Sequence, residues 1–236
     1  MKSTKALAVK TLLAGIIAFS AQSSYASIVL MDKENFGGTG LGAVNTILTI
    51  QGSNGNTSET GGVRFDGRED VISGDAKRGN SQTQTRTIGD LSITSASGLR
   101  IVFNAAEPDN TINLTGLTLD FYNAAGTSLY TANLDRAYNN LNTLSGTGNS
   151  GFVFGLDAIQ AAEAQARVFS LANFNTIRIG LSATATGFAG GNETFFVAQS
   201  SMTNPGGPGN EVPEPASLAL FGLGIAAAAV IRRRRA

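Results

Sequence analysis

Thr111-Ile-Asn-Leu-Thr-Gly-Leu-Thr-Leu-Asp-Phe-Tyr122 is the stretch whose reading decides the fold class. Apolar and polar residues alternate along it with a period of two, the spacing that sends successive side chains to opposite faces of a strand. The alternation slips once. Ile112 and Leu114 hold one phase, and Leu117, Leu119 and Phe121 hold the other. A bulge at Thr115-Gly116 is therefore expected, because one extra residue brings all five apolar side chains onto a single face. Asn123-Ala-Ala-Gly126 has turn chemistry, and Ser128-Leu-Tyr-Thr-Ala132 follows as a second strand, which predicts a hairpin.

The same pattern recurs on both sides of the hairpin. Residues 44–50, Leu91-Ser-Ile-Thr, Leu99-Arg-Ile-Val-Phe103, Gly151-Phe-Val-Phe-Gly-Leu156, Thr176-Ile-Arg-Ile-Gly-Leu-Ser182 and Thr194-Phe-Phe-Val-Ala198 all read as short strands. Many short strands, polar turns and 29 glycines predict a mostly β chain. The expected architecture is a single antiparallel β-sandwich or jelly-roll-like domain with one short helix. Its core is expected around Ile101, Phe103, Leu117, Leu119, Phe152, Phe154, Ile177, Ile179 and Phe196. The helix is the exception to the pattern. Asp157-Ala-Ile-Gln-Ala-Ala-Glu-Ala-Gln-Ala-Arg167 is rich in helix formers, and Asp157 with Gln160 has the spacing of an N-cap and capping box.

The two ends obey other rules. Lys2, Lys5 and Lys10 precede the apolar run Leu12-Leu-Ala-Gly-Ile-Ile-Ala-Phe19. That run suits an export signal and is short for a membrane anchor. Ser24-Tyr25-Ala26 places small residues at the −3 and −1 positions, so cleavage is expected between Ala26 and Ser27. The competing reading is an uncleaved membrane helix. At the other end stand Pro213, Glu214 and Pro215, a stiff extended tripeptide because proline fixes φ and biases the residue before it. Residues 216–231 form an apolar helix candidate of 16 residues. At 1.5 Å per residue it is about 24 Å long, short of a hydrocarbon core unless the bilayer thins and the arginines snorkel. Arg232, Arg233, Arg234 and Arg235 then supply a cytoplasmic stop.

This order of Pro-Glu-Pro, apolar helix and arginine cluster resembles the PEP-CTERM sorting signal of bacteria that make extracellular polysaccharide. The resemblance covers about the last 25 residues. It implies that a membrane-embedded exosortase, a cysteine transpeptidase, reads the Pro-Glu-Pro segment and processes the chain near it. The competing reading is a plain tail anchor, which has no need of Pro-Glu-Pro against the membrane. The stretch from Gly89-Asp-Leu to Asn104-Ala-Ala-Glu-Pro108, and Gly148-Asn-Ser-Gly-Phe152, are also similar to segments of exosortase-tagged proteins that have no assigned activity. The expected organisation is a signal at 1–26, a body at 27–201, a Gly/Pro linker at 202–211 and the sorting signal at 212–236. The body is expected to fold without either end. The protein is expected to cross the inner membrane with the export translocon and signal peptidase as partners. The C-terminal helix would anchor it transiently before it reaches the cell surface or extracellular matrix.

What the body does is narrowed by missing residues. The chain has no cysteine and no histidine. Disulfides, thiolate nucleophiles, Ser-His-Asp triads and Cys/His zinc sites are excluded. Of 17 basic residues three lie in the first ten positions and four at 232–235, so ten remain against 16 acids outside the ends. A net negative body argues against nucleic acid as a partner, since phosphate binding needs a basic face. Carboxylates remain. Asp66, Glu69 and Asp70 in one loop, or Glu107 and Asp109 in another, are the candidates for a carboxylate glycosidase. The same clusters offer hard oxygens to calcium, though without EF-hand spacing, and otherwise read as turn residues. Tyr138, in the polar run Asp135-Arg-Ala-Tyr-Asn-Asn140, is the aromatic expected to sit in a loop and stack on a sugar. The leading expectation is a non-enzymatic surface or biofilm-matrix protein with no cofactor. The alternatives are a carbohydrate-binding module for the producer's own polysaccharide and a carboxylate glycosidase.

Overall fold

The computed structural model describes residues 27–32, 34, 45–52, 57–79, 81–105, 111–142, 151–187 and 191–200. The expected signal, linker, membrane helix and Pro-Glu-Pro segment lie outside them. The described chain is mostly β with one short helix. Its strands are β1 (Ser27–Leu30), β2 (Thr46–Ile50), β3 (Ser58–Phe65), β4 (Asp70–Gly74), β5 (Arg86–Thr87) and β6 (Leu99–Asn104). They continue as β7 (Thr111–Tyr122), β8 (Ser128–Leu134), β9 (Tyr138–Asn142), β10 (Gly151–Leu156), β11 (Arg178–Thr186) and β12 (Glu193–Gln199). The helix α1 (Ala158–Ala164) follows β10 and runs on into a π-helical turn, Gln165–Phe169.

The strands form one curled sheet in the order β2-β12-β6-β10-β1-β8-β7-β11-β3-β4, with β5 against β11 and β9 against β7. The ends of this path meet. Just beyond β4, Ala76 bridges Ile50 of β2, Gln51 N donates to Asp75 O at 3.0 Å and Lys77 N donates to Thr49 O at 2.8 Å. One pairing departs from the antiparallel expectation. β1 lies parallel to β8, with Ser27 opposite Asn133 and Ile28 opposite Leu134, and antiparallel to β10. No tight turn links β1 to β8, so the antiparallel geometry that a hairpin imposes is not required of them.

β7 carries the predicted bulge. Thr184 of β11 pairs with Gly116 while Ala185 pairs with Leu114, which leaves Thr115 as the extra residue. Ile112, Leu114, Leu117, Leu119 and Phe121 all lie in the core as a result. The hairpin forms too. Asn123 Oδ1 accepts from Ala125 N at 2.9 Å and Thr127 N at 3.0 Å, and Gly126 supplies the positive φ of +78° that the turn needs.

The expected core residues Ile101, Phe103, Phe154, Ile177 and Ile179 are buried in the main cluster, and Phe152 packs at its margin. Phe196 is a correction. In β12 it is Phe195 and Val197 that face the core, while Phe196 joins Val102 and Val153 in a second cluster on the opposite face. Two adjacent phenylalanines read equally well in either phase, and the pairing of β12 with β6 and β2 chooses between them.

Asp157 caps the helix as predicted, its Oδ1 accepting from Gln160 N at 2.8 Å. The Gln160 side chain turns inward, fully buried, and its Oε1 accepts the Tyr130 hydroxyl at 2.6 Å. The α-helix stops at Ala164, and the π-helical turn carries the coil past the expected end at Arg167, with Ser170 N donating to Gln165 O at 2.9 Å. Asp157→Ala should lower stability by about 1 kcal/mol, because the first-turn amide loses its acceptor. Urea unfolding of the variant against the wild type measures it, and an unchanged midpoint would dismiss the cap.

Candidate functional site

Asp66, Glu69 and Asp70 are brought together, as the sequence order requires, in the turn from β3 to β4. Asp66 Oδ1 accepts from Arg68 N at 2.8 Å and Glu69 N at 2.9 Å, and Asp66 N donates to Glu69 O at 3.2 Å. These amides, Glu69's first, hold the exposed Asp66 carboxyl below its ordinary pKa. Asp70 turns away from them. Its Oδ2 accepts from Thr85 N at 2.9 Å and its Oδ1 takes the Thr85 hydroxyl at 2.5 Å. Arg178 Nη1 donates to the same Thr85 Oγ1 at 2.9 Å and its guanidinium lies 4.7 Å over the Phe65 ring. Asp66 Oδ1 therefore shapes the turn, and the Asp70 carboxylate fastens it to the segment before β5. Among the described residues, no group of three or more Asp and Glu is placed to hold a metal ion. Glu107 and Asp109 lie outside the described residues.

Tyr138 is a correction. It opens β9, opposite Leu114 of β7, and is only 9% exposed. Its ring meets Phe154 edge-on at 5.4 Å between centroids, and its hydroxyl accepts Leu30 N at 3.0 Å. Burial raises its pKa first of all. A ring used on one side by Phe154 and fastened through its hydroxyl to β1 presents no stacking face to a sugar. The polar letters around Tyr138 disguised a strand, because exposed Asn139 and Asn140 separate buried Tyr138 from buried Leu141 and exposed Asn142 follows.

A buried charge cluster that no motif announces lies on the outer face of β6. Arg100 and Glu34 are each 3% exposed at the side chain and pair Nε to Oε1 at 2.5 Å. The other carboxylate oxygen accepts the Ser200 hydroxyl at 2.6 Å. Arg100 Nη1 also donates to Ser97 O at 2.7 Å and Leu99 O at 3.0 Å. The signal was present but mute. Arg100 is the one charge in Leu99-Arg-Ile-Val-Phe103 and falls on the phase that faces away from the core. Nothing in the sequence names Glu34, 66 residues away, as its partner, or Ser200 as the hydroxyl that donates to Glu34's other oxygen.

Ser200 matters for where it stands. Gln199, Leu99, Leu156 and Ile28 occupy one row across β12, β6, β10 and β1. The body's last described residue and its first, Ser27, therefore leave the sheet at the same end. Three strand spacings, about 14 Å, separate them. Everything N-terminal of Ser27 and C-terminal of Ser200 attaches to that end.

The C-terminal attachment is the segment that declares itself. The PEP-CTERM protein-sorting motif matches residues 211–235, which include Pro213, Glu214, Pro215 and the four arginines. The chain carries a PEP-CTERM sorting tag. The tag implies an exosortase as the processing partner and fits export and a cell-surface destination. The match says nothing of the body, and no curated protein and no solved structure matches the chain. Among the described residues no helix is long and apolar enough to cross a membrane, and the expected tail helix lies outside them. The signal-cleavage pair is divided in the same way. Ser27 opens β1, and Ala26 lies outside the described residues.

Proposed function

We propose that this PEP-CTERM-tagged protein is exported through the inner membrane, freed of residues 1–26 by signal peptidase after Ala26, and sorted by an exosortase. The observation that carries the reading is the match of the tag to residues 211–235. The body acts as a non-enzymatic component of the cell surface or of a biofilm matrix, in a jelly-roll-like form and without a cofactor. Two features support a display role. The Asp66 and Asp70 carboxylates are held by backbone amides and Thr85, and both ends of the described body, Ser27 and Ser200, leave the sheet on one side. A body tethered at that side stands off the membrane with the opposite end, where the chain leaves β2, β6 and β11, turned outward.

Intact mass of the surface form tests the reading. In an exosortase-positive host the expected mass begins at Ser27 and lacks the tail with Arg232, Arg233, Arg234 and Arg235. Replacing Pro213, Glu214 and Pro215 by alanine should leave the tail in place and the protein with the membrane fraction. Recovery of a surface form that keeps the whole tail would overturn it.

A further inference from the structure

Residues 157–177 close the end of the sheet at which Ser27 and Ser200 leave. They connect Leu156, the last residue of β10, to Arg178, the first of β11. Their inner side chains Ala161, Ala164, Val168 and Phe169 belong to the main core, and Phe169 meets Phe121 edge-on at 5.9 Å. The C-terminal exit is fastened beside this cap. Ser200 N donates to Gly98 O at 2.7 Å and Thr94 N donates to Gln199 Oε1 at 2.9 Å. Ala96 N, in the same stretch, donates to Gln165 Oε1 at 3.1 Å.

The side of the cap that faces away from the core is apolar. Among the described residues three large aliphatic side chains are exposed, Leu30, Ile159 and Leu171, and two of the three stand on this cap. Ile159 is 54% exposed. Ala158, Ala162, Ala166 and Ala172 are exposed with them. Single exposed aliphatics are ordinary, whereas a group of them on one outward face marks a contact surface. The charges on this face are Glu163 and Arg167, paired with each other at 2.6 Å. On the neighbouring turns the exposed acids Asp66, Glu69 and Asp90 outnumber Arg68, so attraction to anionic headgroups does not drive the contact.

The length of chain beyond Ser200 says what meets this face. Residues 201–215 are fifteen in number, rich in Gly and Pro, and end where the apolar run 216–231 begins. A flexible chain of that length has a root-mean-square span of about 20 Å, and even drawn straight it reaches only about 50 Å. With the tail in the bilayer, the cap is therefore held close above the lipid. A tether of this kind supplies an effective concentration on the order of millimolar, so a surface too weak to bind membranes in free solution is engaged while the tail is anchored. We infer that the outward face of the cap, through Ile159 and Leu171, rests on the lipid interface as long as the tail is attached, and so fixes which end of the body points away from the cell. The partner is a lipid surface, recognised by apolar contact at headgroup depth. The inference rests on the reading of residues 216–231 as a membrane helix.

The test uses the chain with its tail, purified from an exporting host that lacks exosortase and reconstituted into phosphatidylcholine vesicles containing a nitroxide-labelled lipid. The chain has no cysteine, so one introduced by substitution carries the only thiol label. Ala162→Cys puts a fluorophore on the outward face of α1. Ser58→Cys puts it at the far end of the sheet, where Ser58 pairs with Thr186. Quenching at position 162 should be at least threefold that at position 58. Ile159→Asp with Leu171→Asp, both at exposed positions, should bring position 162 down to the level of position 58 and leave the urea midpoint unchanged. Equal quenching at the two positions, or quenching at 162 that the double substitution does not touch, would overturn the inference. So would contact at 162 that arises only when exosortase is reconstituted alongside, since the partner would then be that protein. Vesicle flotation separates the two readings. A chain that floats without quenching at 162 keeps the membrane helix and loses the inference, and a chain that does not float loses both.

Discussion

Phe103→Ala is expected to cost about 3–5 kcal/mol, the range for emptying a buried aromatic site. Phe103 is fully buried in the middle of β6 and is paired on both sides, with Phe195 of β12 and Phe152 of β10. Its ring stacks on Phe195 at 4.7 Å and 10°, and meets Phe152 at 6.0 Å. Truncation would strip the stack and leave a void that the flanking strands, fixed by their own hydrogen bonds, cannot close. Against a domain stability on the order of 5–15 kcal/mol this is a large share. Phe152→Ala supplies the control. The two residues are cross-strand partners of similar sequence context, but Phe152 is only partly buried at the margin of the cluster. It should cost less than half as much. Urea unfolding of the purified protein reads both, and equal losses would mean that Phe103 is not the keystone its packing makes it.

The second large effect is expected from Arg100→Ala. Removing the guanidinium leaves the Glu34 carboxylate buried with only the Ser200 hydroxyl, and breaking a buried pair from one side costs about 3–5 kcal/mol. Replacing both partners by apolar residues, Arg100→Met with Glu34→Leu, should recover most of that loss, since the double variant buries no uncompensated charge. The contrast within the same protein is the pair of Arg167 with Glu163, also short at 2.6 Å but on an exposed helix face. Its loss should cost only a few tenths of a kcal/mol. If Arg100→Ala proves as mild as Arg167→Ala in urea unfolding, the cluster is not closed to water as its burial requires. The cluster fastens Glu34 and, through it, Ser200 to β6, so the last described residue is held to that strand through an ion pair as well as through β12.

The strands were legible where local pattern and tertiary demand agree. In β7 the phase slip at Thr115-Gly116 sufficed to place a bulge, because five apolar residues can share one face in no other way. The cap at Asp157 was legible because an N-cap is satisfied within its own first turn. Tyr138 was misread because β9 is short and its exposed positions are asparagines, which carry the letters of a loop. Phe196 was misread because an adjacent pair of identical residues has no phase of its own. The 66–70 turn was open to three readings, and only the structure shows Asp66 bonded to the Arg68 and Glu69 amides and Asp70 to Thr85.

By itself the sequence determined the sorting tag and, where the alternation has a phase of its own, which faces of the strands turn inward. Sorting tags are read as linear peptides, and amphipathic periodicity is a property of neighbours along the chain, so both survive without a fold. The tertiary structure alone decided which distant residues meet. It set Glu34 on Arg100 and Ser200 on Glu34, seated β1 between β10 and β8, and brought Ser27 and Ser200 out on one side. Those outcomes depend on strand order and register, which arise from closing long loops at an entropy cost that grows only slowly with their length. Sequence separation therefore carries almost no information about which strands become partners.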